Sequence, residues 1–213
     1  MRENDISRAT LGRVPEYLRF LRELPAGTET ISAPIIAREL GLGEVQVRKD
    51  LGALCGAGKP KIGYPVGELK ASLEGFLRLG DGSTVIVGAG KLGRALLDYG
   101  GFSEYGIDML AAFDINVEKP EFSPRGRKIL PLSDLGAFCR AHKVRIGVIA
   151  VPAQAAQEVC NLLYDSGVKT MWCFAPRKLY QPADAVIRYE NMALSLAHLK
   201  MQSREAAADT EES

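Results

Sequence analysis

The glycine-rich segment VIVGAGKLGRALLDYG, residues 85–100, constrains the fold of this chain more than any other stretch. A β-branched run leads into G-x-G-x-x-G and an apolar-patterned segment follows, which predicts a strand, a tight turn and a helix. Asp114 ends the next predicted strand, about twenty residues beyond the last glycine. This context is typical of a dinucleotide site. Because a nucleotide-binding domain normally begins with this strand, the residues before it need an explanation of their own.

The residues that precede the glycine-rich segment carry helical patterns and a local basic cluster. A helix is predicted from Pro15 to Leu24, and a second one follows Ser32 as its N-cap. After the turn at residues 41–43, a third helix is predicted with one side inward and one side outward. We expect Val45, Val47, Leu51 and Leu54 to face inward and Gln46, Arg48, Lys49 and Asp50 to lie on or near the outer face. Helix, short turn and basic helix indicate a helix-turn-helix at about residues 17–56.

The next segment, AGKPKIGYPVGEL, is rich in glycine and proline and carries Lys59 and Lys61 near its tip. Alone it is equally compatible with a basic surface loop. Following a helix-turn-helix, it predicts a β-hairpin wing whose lysines approach the DNA backbone. Residues 1–80 are therefore interpreted as a winged helix-turn-helix domain.

Strands and helices alternate through residues 84–188. Four near-continuous apolar strands predict a parallel sheet covered on both faces, and hence an α/β Rossmann domain. Two further strand ends fall where the carboxyl ends of parallel strands line one crevice. They supply apolar cover for a nicotinamide ring and comprise Val151, Pro152, Phe174, Ala175 and Pro176.

Each glycine of the predicted turn has a separate task. Gly88 permits the tight turn, Gly90 lets the backbone approach a pyrophosphate, and Gly93 lets the helix lie close to the sheet. Asp114 would accept hydrogen bonds from the adenosine ribose and repel a 2′-phosphate, which favours NAD(H) over NADP(H). The predicted cofactor contacts in this turn are Gly88, Ala89, Gly90, Lys91, Leu92 and Gly93.

Composition excludes several other classes. Hydrophobic residues make up 46% and charged residues 25%, as in a globular protein, and the net charge of +1 requires that any nucleic-acid affinity be local. The sequence has no signal peptide and no apolar run that could span a membrane, so we expect a cytoplasmic protein without a membrane partner. Four cysteines without a C-x-x-C pair and two distant histidines predict no metal site. Only Tyr99 and Lys178 were candidates for an acid or base, so we predict no catalytic residues and no enzyme.

The ordered motifs ISRAT, EYLRFL, VRKDL, IGY, VGAGKLGRALLDY, AAFDIN, AVPA and FAP resemble the Rex family of redox-sensing transcriptional repressors from Ile6 to Leu199. The resemblance implies a winged-helix domain joined to a Rossmann domain. It implies a homodimer that binds inverted-repeat operator DNA and is released by NADH, whereas NAD⁺ permits DNA binding. A DNA-binding domain in front of the sensor explains why the glycine-rich turn comes late.

The resemblance also assigns residues. DNA contacts would be Gln46, Arg48 and Lys49 on the recognition helix and Lys59 and Lys61 on the wing. Residues 189–201 would form a C-terminal domain-swapped helix, and residues 202–213 a flexible tail. Met192, Leu194, Leu196 and Leu199 give this helix an apolar face, which could instead pack on its own Rossmann domain. The switch and dimer contacts would be Arg19, Tyr99, Asn191 and Met192.

Three departures from the family pattern stand out. Residues 52–55 read Gly-Ala-Leu-Cys where the family usually has Ser-Tyr-Phe-Gly, and residues 59–61 read Lys-Pro-Lys where it has Lys-Arg-Gly. We expect DNA binding to survive with an altered operator preference, because phosphate contacts position a protein without reading sequence. Asn191 stands where the family has an Asp, which predicts weaker coupling between cofactor and DNA.

Three alternatives remain open. The first is an NAD-dependent oxidoreductase with a helical N-terminal extension. The second is a CoA- or nucleotide-binding module of a larger ligase. The third is a constitutive DNA-binding protein whose Rossmann domain only dimerises.

Overall fold

The computed structural model describes residues 6–60, 62–78 and 82–211. Lys61, which was predicted to contact DNA, lies outside these described residues. The chain divides into two compact units, Met1–Gly80 and Asp81–Ser213. Each unit has its own hydrophobic core.

Helices dominate the N-terminal unit. The helices are α1 (Arg8–Arg22), α2 (Ala33–Leu40), α3 (Glu44–Cys55) and α4 (Val66–Arg78), and the strands are β1 (Thr30–Ile31) and β2 (Tyr64–Pro65). Gly41 ends α2 in the left-handed conformation, with φ of 63°, so the chain reverses into α3 within three residues. The apolar sides of the helices form one core around Tyr17, Leu18, Leu21, Ile36, Val47, Leu51, Leu69 and Leu73.

The wing is built differently from the predicted hairpin. Lys59 and Gly63 form an antiparallel bridge, with mutual backbone hydrogen bonds of 2.8 Å. The strand that follows, β2, pairs with β1 rather than with the other arm of the loop. Gly63 makes this pairing possible, because a Cβ there would lie 2.3 Å from the carbonyl oxygen of Ile31.

Three sequence-based expectations for the N-terminal unit were wrong. Helix α1 begins at Arg8, capped by the Ser7 side chain, so Pro15 lies inside the helix rather than in its first turn. Val45 is 83% exposed, because the second residue of α3 precedes the turns that pack on the core. Asp50 is buried rather than outward, and polar partners on α1 explain its burial.

The C-terminal unit is an α/β sandwich. A seven-stranded sheet has the order β5-β6-β4-β3-β7-β8-β9 and is parallel except for the edge strand β5. Its strands are β3 (Ser83–Val87), β4 (Asp108–Asp114), β5 (Glu121–Phe122), β6 (Lys128–Pro131), β7 (Ile146–Ile149), β8 (Thr170–Cys173) and β9 (Val186–Tyr189). Its helices are α5 (Lys91–Leu97), α6 (Leu135–Ala141), α7 (Ala156–Asp165) and α8 (Met192–Glu211), with short 3-10 helices at Gly100–Tyr105 and Leu132–Asp134.

The six parallel strands follow the Rossmann order, with β3, the first strand of this sheet along the chain, in the centre between β4 and β7. The strand order reverses at β3, so the carboxyl ends of β3 and β7 define a crevice. Core clusters cover the sheet on both faces. The fold is therefore a Rossmann domain preceded by a winged helix-turn-helix domain, as predicted.

Three strands of the sheet were not predicted from the sequence. Strand β5 is the edge strand on one side and has only two residues, and its neighbour β6 has only four, of which Ile129 is buried. Strand β9 at the other edge contains Arg188 and is mostly exposed. Edge strands bury too little surface to show a continuous apolar pattern.

The last helix is longer than predicted. α8 continues to Glu211, so the described part of residues 202–213 is helical, while the flexibility of this tail stays a prediction. Arg204, Glu205 and three alanines favour a helix, which explains the extension. Its predicted apolar face, Met192, Leu194, Leu196 and Leu199, stays exposed on this chain, and the exposed Met201 extends it. The alternative of a helix packed on its own Rossmann domain is thus not what this chain adopts.

Among the described residues, we find no helix with the length and apolar character needed to cross a membrane.

Candidate nucleotide site and DNA-binding surface

The glycine turn lies at the crevice, directly after β3. Gly88 has φ of +103°, and a Cβ there would lie 2.4 Å from the carbonyl oxygen of Ala150. A Cβ at Gly93 would lie 1.8 Å from the carbonyl oxygen of Gly88. Both glycines are therefore required by the fold itself. A Cβ at Gly90, by contrast, would meet nothing within 4 Å, so only a ligand would need a glycine there.

Asp114 holds this turn from the end of β4. Its Oδ2 accepts a hydrogen bond of 2.7 Å from the backbone N–H of Ala89, and its Oδ1 accepts from the backbone and side chain of Asn116 at 2.9 and 3.0 Å. A carboxylate has about four acceptor positions, so one remains on Oδ2 for a ribose hydroxyl. The Ala89 N–H, which we expected to meet the pyrophosphate, is instead already paired with Asp114.

One cavity of about 460 Å³ brings together five of the predicted cofactor contacts. They are Gly88, Gly90, Asp114, Val151 and Pro152. Sequence reasoning missed the other wall, which is apolar and comes mainly from α7 and the segments that follow β4 and β6. The available sequence signal was an apolar residue, Ile115, directly after the strand end at Asp114. This wall includes Ile115, Leu132, Ala155, Val159 and Leu162.

The three contacts predicted after β8 lie apart from this cavity. Phe174 packs against Trp172 with the rings tilted by 60° and their centroids 4.4 Å apart, and it contacts the core. Ala175 and Pro176 line a second cavity of about 600 Å³, beside the start of α8. Lys91 is exposed and Leu92 half-buried on α5, and neither lines the first cavity. As cofactor contacts these five positions stay predictions, as does Gly93, whose lack of a side chain the turn itself requires.

Helix α3 presents polar and basic side chains to solvent. Gln46, Arg48 and Lys49 are all exposed, and Arg48 forms an ion pair with Glu44 one helical turn away. A groove of about 510 Å³ runs between α3, the start of α2 and the wing. Arg48 and Lys59 both line it, which brings a recognition-helix residue and a wing residue to one surface.

A buried carboxylate joins this helix to α1. Asp50 accepts hydrogen bonds from the Thr10 hydroxyl at 2.8 Å and the Tyr17 hydroxyl at 2.7 Å. Arg13 adds a bidentate ion pair at 2.7 and 2.9 Å. The Asp50 side chain is only 4% exposed, so all these donors compensate its lost hydration.

The titration of this cluster follows from its contacts. Burial by itself raises the pKa of the Asp50 carboxyl, but the hydrogen bonds from Arg13, Tyr17 and Thr10 outweigh burial and leave the pKa below its ordinary value. Burial and the neighbouring carboxylate raise the pKa of Tyr17. Asp50 is therefore ionised and Tyr17 neutral at neutral pH.

Asn191 caps the last helix. Its Oδ1 accepts a hydrogen bond of 3.0 Å from the backbone N–H of Leu194. Asn and Asp are about equally good N-cap residues, so an Asn at this position keeps the helix start while removing the charge. The departure from the family pattern therefore does not disturb α8 itself.

The other predicted switch residues are exposed. Arg19 forms an ion pair with Glu23 on α1 at 3.7 Å. Tyr99 is 61% exposed and packs edge-on against Phe102, with ring centroids 5.0 Å apart. Arg19 belongs to the N-terminal unit and Tyr99 to the C-terminal unit, so their coupling stays a prediction.

Within residues 6–60, 62–78 and 82–211, no group of three His, Cys, Asp or Glu side chains is arranged to hold a metal ion. The thiols of Cys139, Cys160 and Cys173 are buried, and Cys55 is half-buried. Burial raises the pKa of the Cys55 and Cys139 thiols to about 11, which keeps them protonated and unreactive.

Comparison with protein families matches each unit separately. Residues 5–52 match the family described as "Putative DNA-binding protein N-terminus", and residues 80–177 match the "CoA binding domain". The N-terminal match covers α1, α2 and most of α3, and the C-terminal match covers β3 to β8.

Curated relatives and solved structures span nearly the whole chain. The redox-sensing transcriptional repressor Rex of Clostridium kluyveri is 36% identical, covering 91% of this chain and 92% of its own. Rex of Treponema denticola is 35% identical, covering 88% and 90%. A crystal structure of RSP in complex with β-NAD⁺ and operator DNA matches with a TM-score of 0.81 and 29% identity, covering 97% and 96%.

A crystal structure of RSP in complex with β-NADH matches with a TM-score of 0.80 and 28% identity, over 98% of this chain and 99% of that one. RSP is itself described as a Rex-family repressor. Identity above 30% extends over nine-tenths of the chain and therefore includes both domains. The chain belongs to the Rex family of redox-sensing transcriptional repressors.

Proposed function

We propose that this protein is a dimeric repressor that binds inverted-repeat operator DNA and releases it when NADH binds, while NAD⁺ permits binding. The observation that carries the proposal is that one similar protein, RSP, has been solved both with NAD⁺ and operator DNA and with NADH. The two ligand classes match the two surfaces described above. The protein would act as a regulator without catalytic turnover, in the cytoplasm where its operator lies.

The crevice suits a dinucleotide. Gly90 leaves open space beside the turn, and the first N–H groups of a helix have no partner within it, so a pyrophosphate could approach at this point. Asp114 retains an acceptor for the adenosine ribose and would repel a 2′-phosphate. The apolar wall around Ile115 and Leu162 would cover the adenine. Bound NADH would then favour one of two conformations of the dimer. The residues of the crevice would hold the cofactor.

The N-terminal unit suits a major groove. We assign the base-reading role to α3, with Gln46 near its start, because the first residues of a recognition helix reach base edges. Arg48, Lys49 and Lys59 would neutralise phosphates or contact bases. Lys61 would add charge on the wing. DNA and NADH must weaken each other's binding by the same factor, typically about 5- to 150-fold.

The test is fluorescence anisotropy of a labelled inverted-repeat duplex at fixed salt, titrated with NADH and separately with NAD⁺. We expect NADH to raise the Kd for DNA by at least about 5-fold, and NAD⁺ to leave it unchanged or lower it. DNA binding that saturating NADH leaves unaffected would contradict the proposal. That result would favour a constitutive DNA-binding protein, the third alternative above.

Dimerisation is proposed to use α8. Five apolar side chains of this helix are each more than half exposed on the single chain. A helix with this much exposed apolar surface is typical of one that packs on a partner. Exchange of α8 between two subunits would bury these side chains, as the family resemblance implies.

Replacing Leu196 and Leu199 together with Glu is expected to abolish the dimer, because two charges would then enter an apolar interface. Sedimentation velocity at micromolar protein should show the mass fall from two chains to one. The matched control is Gln202→Glu with Ser203→Glu, which adds the same two charges at exposed polar positions of the same helix. A double variant that stays dimeric would assign the interface to another surface.

Two alternatives lose support. An oxidoreductase needs a positioned acid or base, and neither Tyr99 nor Lys178 lines the cavity that holds the glycine turn. The ligase alternative accounts for the family description "CoA binding domain" but not for the N-terminal unit. Assays for NADH oxidation would check the first, since any turnover that depends on a small-molecule substrate would revive it.

A further inference from the structure

The recognition helix has a second polar contact with α1, beyond the surface that faces solvent. Gln46 and Asp50 are four residues apart on α3 and therefore share one side of the helix. Arg13 of α1 faces both of them. Its Nε and Nη2 donate to the two oxygens of Asp50 at 2.7 and 2.9 Å, so the plane of the guanidinium is fixed.

The terminal amide of Gln46 lies against this fixed guanidinium. When the amide is oriented with its oxygen toward Arg13, this oxygen is 3.0 Å from Nη1, 3.1 Å from Nε and 3.3 Å from Nη2. Three nearly equal distances place the oxygen over the face of the planar group. Since a guanidinium has donors only, the amide is assigned with its oxygen toward Arg13 and its NH₂ group away from it.

This orientation changes what Gln46 can read. A free Gln amide recognises adenine with two hydrogen bonds, donating to N7 and accepting from the N6 amino group. With the oxygen turned toward Arg13 and the NH₂ group turned away from it, the amide cannot present both groups to one base, so only the NH₂ donors reach the groove. The N7 acceptor that they can reach is common to adenine and guanine.

We propose that Arg13 is a positioning residue that makes Gln46 a donor-only reader, which recognises a purine N7 and does not favour adenine over guanine. The proposal rests on the DNA-binding function proposed for α3. Asp50 contributes by anchoring Arg13, whose side chain is only 20% exposed and has little freedom to turn away. The specificity of the recognition helix is thus set partly by a residue of another helix.

The experiment uses the full-length protein and an operator duplex that it selects from a library of inverted repeats. Each purine of a half-site is replaced in turn. In one set of duplexes an A·T pair is exchanged for G·C, or the reverse, so that the other purine stands at that position. In a second set the purine is replaced by its own 7-deaza analogue. For the wild type we expect one adenine or guanine where 7-deaza substitution weakens binding by about 2- to 12-fold while exchanging A and G changes it less. Gln46→Leu should remove the 7-deaza effect at that position.

Arg13→Lys is the decisive variant. The lysine keeps a positive charge against Asp50 but has no planar face to hold the amide. Gln46 should then form both hydrogen bonds and prefer adenine over guanine by about 5- to 150-fold. Arg22→Lys on the same helix, whose ion pair with Glu74 lies elsewhere, is the matched control and should keep the wild-type ratio.

A purely structural role for Arg13 would change overall affinity but not the ratio of the two purines. The proposal is overturned if the wild type already prefers adenine through Gln46, if Gln46→Leu leaves the 7-deaza effect in place, or if no inverted repeat binds. Should Arg13→Lys fail to fold, the affinities of the wild type and of Gln46→Leu for the substituted duplexes still test the proposal. Loss of NADH response with intact purine discrimination would contradict the proposed function and leave this inference standing.

Discussion

Asp50→Ala is expected to lower the free energy of unfolding of the N-terminal unit by about 3–5 kcal/mol, the usual effect of removing one partner of a buried ion pair. The substitution leaves the Tyr17 and Thr10 hydroxyls and the Arg13 guanidinium without their acceptor. Urea denaturation of the full-length protein, followed by hydrogen exchange of α1 and α3, measures the loss. Operator binding should fall with it, because α3 is held in place by this cluster.

The control for Asp50→Ala is Glu39→Ala in the same unit. Glu39 pairs with Arg38 at 2.9 Å, but both side chains are exposed, at 45% and 74%. An exposed ion pair contributes less than about 1 kcal/mol, so Glu39→Ala should hardly change stability. Equal effects of the two substitutions would refute the structural role of the buried cluster.

The pH dependence of the wild type supplies an independent check. Because the folded-state pKa of Asp50 is lowered, its contribution is complete above the unfolded-state pKa of about 3.9 and is lost as pH falls through the folded-state value. The difference in stability between wild type and Asp50→Ala should therefore shrink on acidification below about pH 4. A difference that stays constant in acid would mean that the ionised carboxylate is not what stabilises the unit.

Gly90→Ala is expected to weaken NADH binding by at least about tenfold while leaving stability within about 0.5 kcal/mol of the wild type. The backbone at Gly90 has φ of −69°, which any residue can adopt, and a Cβ there touches nothing in the chain. The added methyl group would occupy only the space that we assign to the pyrophosphate. NADH titration by fluorescence and thermal unfolding measure the two effects.

Gly88→Ala and Gly93→Ala should behave in the opposite way. A Cβ at either position would overlap a backbone carbonyl oxygen, and Gly88 also has a left-handed φ. Both variants should lose stability by at least about 1–3 kcal/mol, since the backbone must shift. If Gly90→Ala bound NADH normally, the pyrophosphate would have to lie elsewhere; if Gly93→Ala were fully stable, the steric argument would fail.

Much of this organisation could be predicted from local patterns. The glycine turn, the central strands β3, β4, β7 and β8, and the turn before α3 all have strong local signals, because buried parallel strands are continuously apolar and tight turns need glycine. The late position of the glycine turn indicated that a separate domain precedes the Rossmann domain, and the basic helix in that domain predicted DNA binding. The family resemblance followed from motifs distributed over both units.

Other features had no local signal. The apparent amphipathic pattern of α3 placed Asp50 outward and Val45 inward, and both assignments were wrong. A single helix does not reveal that α1 supplies Thr10, Arg13 and Tyr17 to a buried carboxylate. The short strands β5, β6 and β9, at or next to the edges of the sheet, were likewise missed, because their pairing depends on other parts of the chain.

Local sequence patterns were enough to predict the elements whose geometry depends on near neighbours: the turn at residues 88–93, the central strands, the two domains and their order. Tertiary structure alone decided which polar groups meet. It paired Asp114 with the Ala89 N–H, Arg13 with both Asp50 and Gln46, and Asn191 with the start of α8. Backbone propensity and periodicity act over a few residues, whereas the pairing of buried charges depends on which helices pack together.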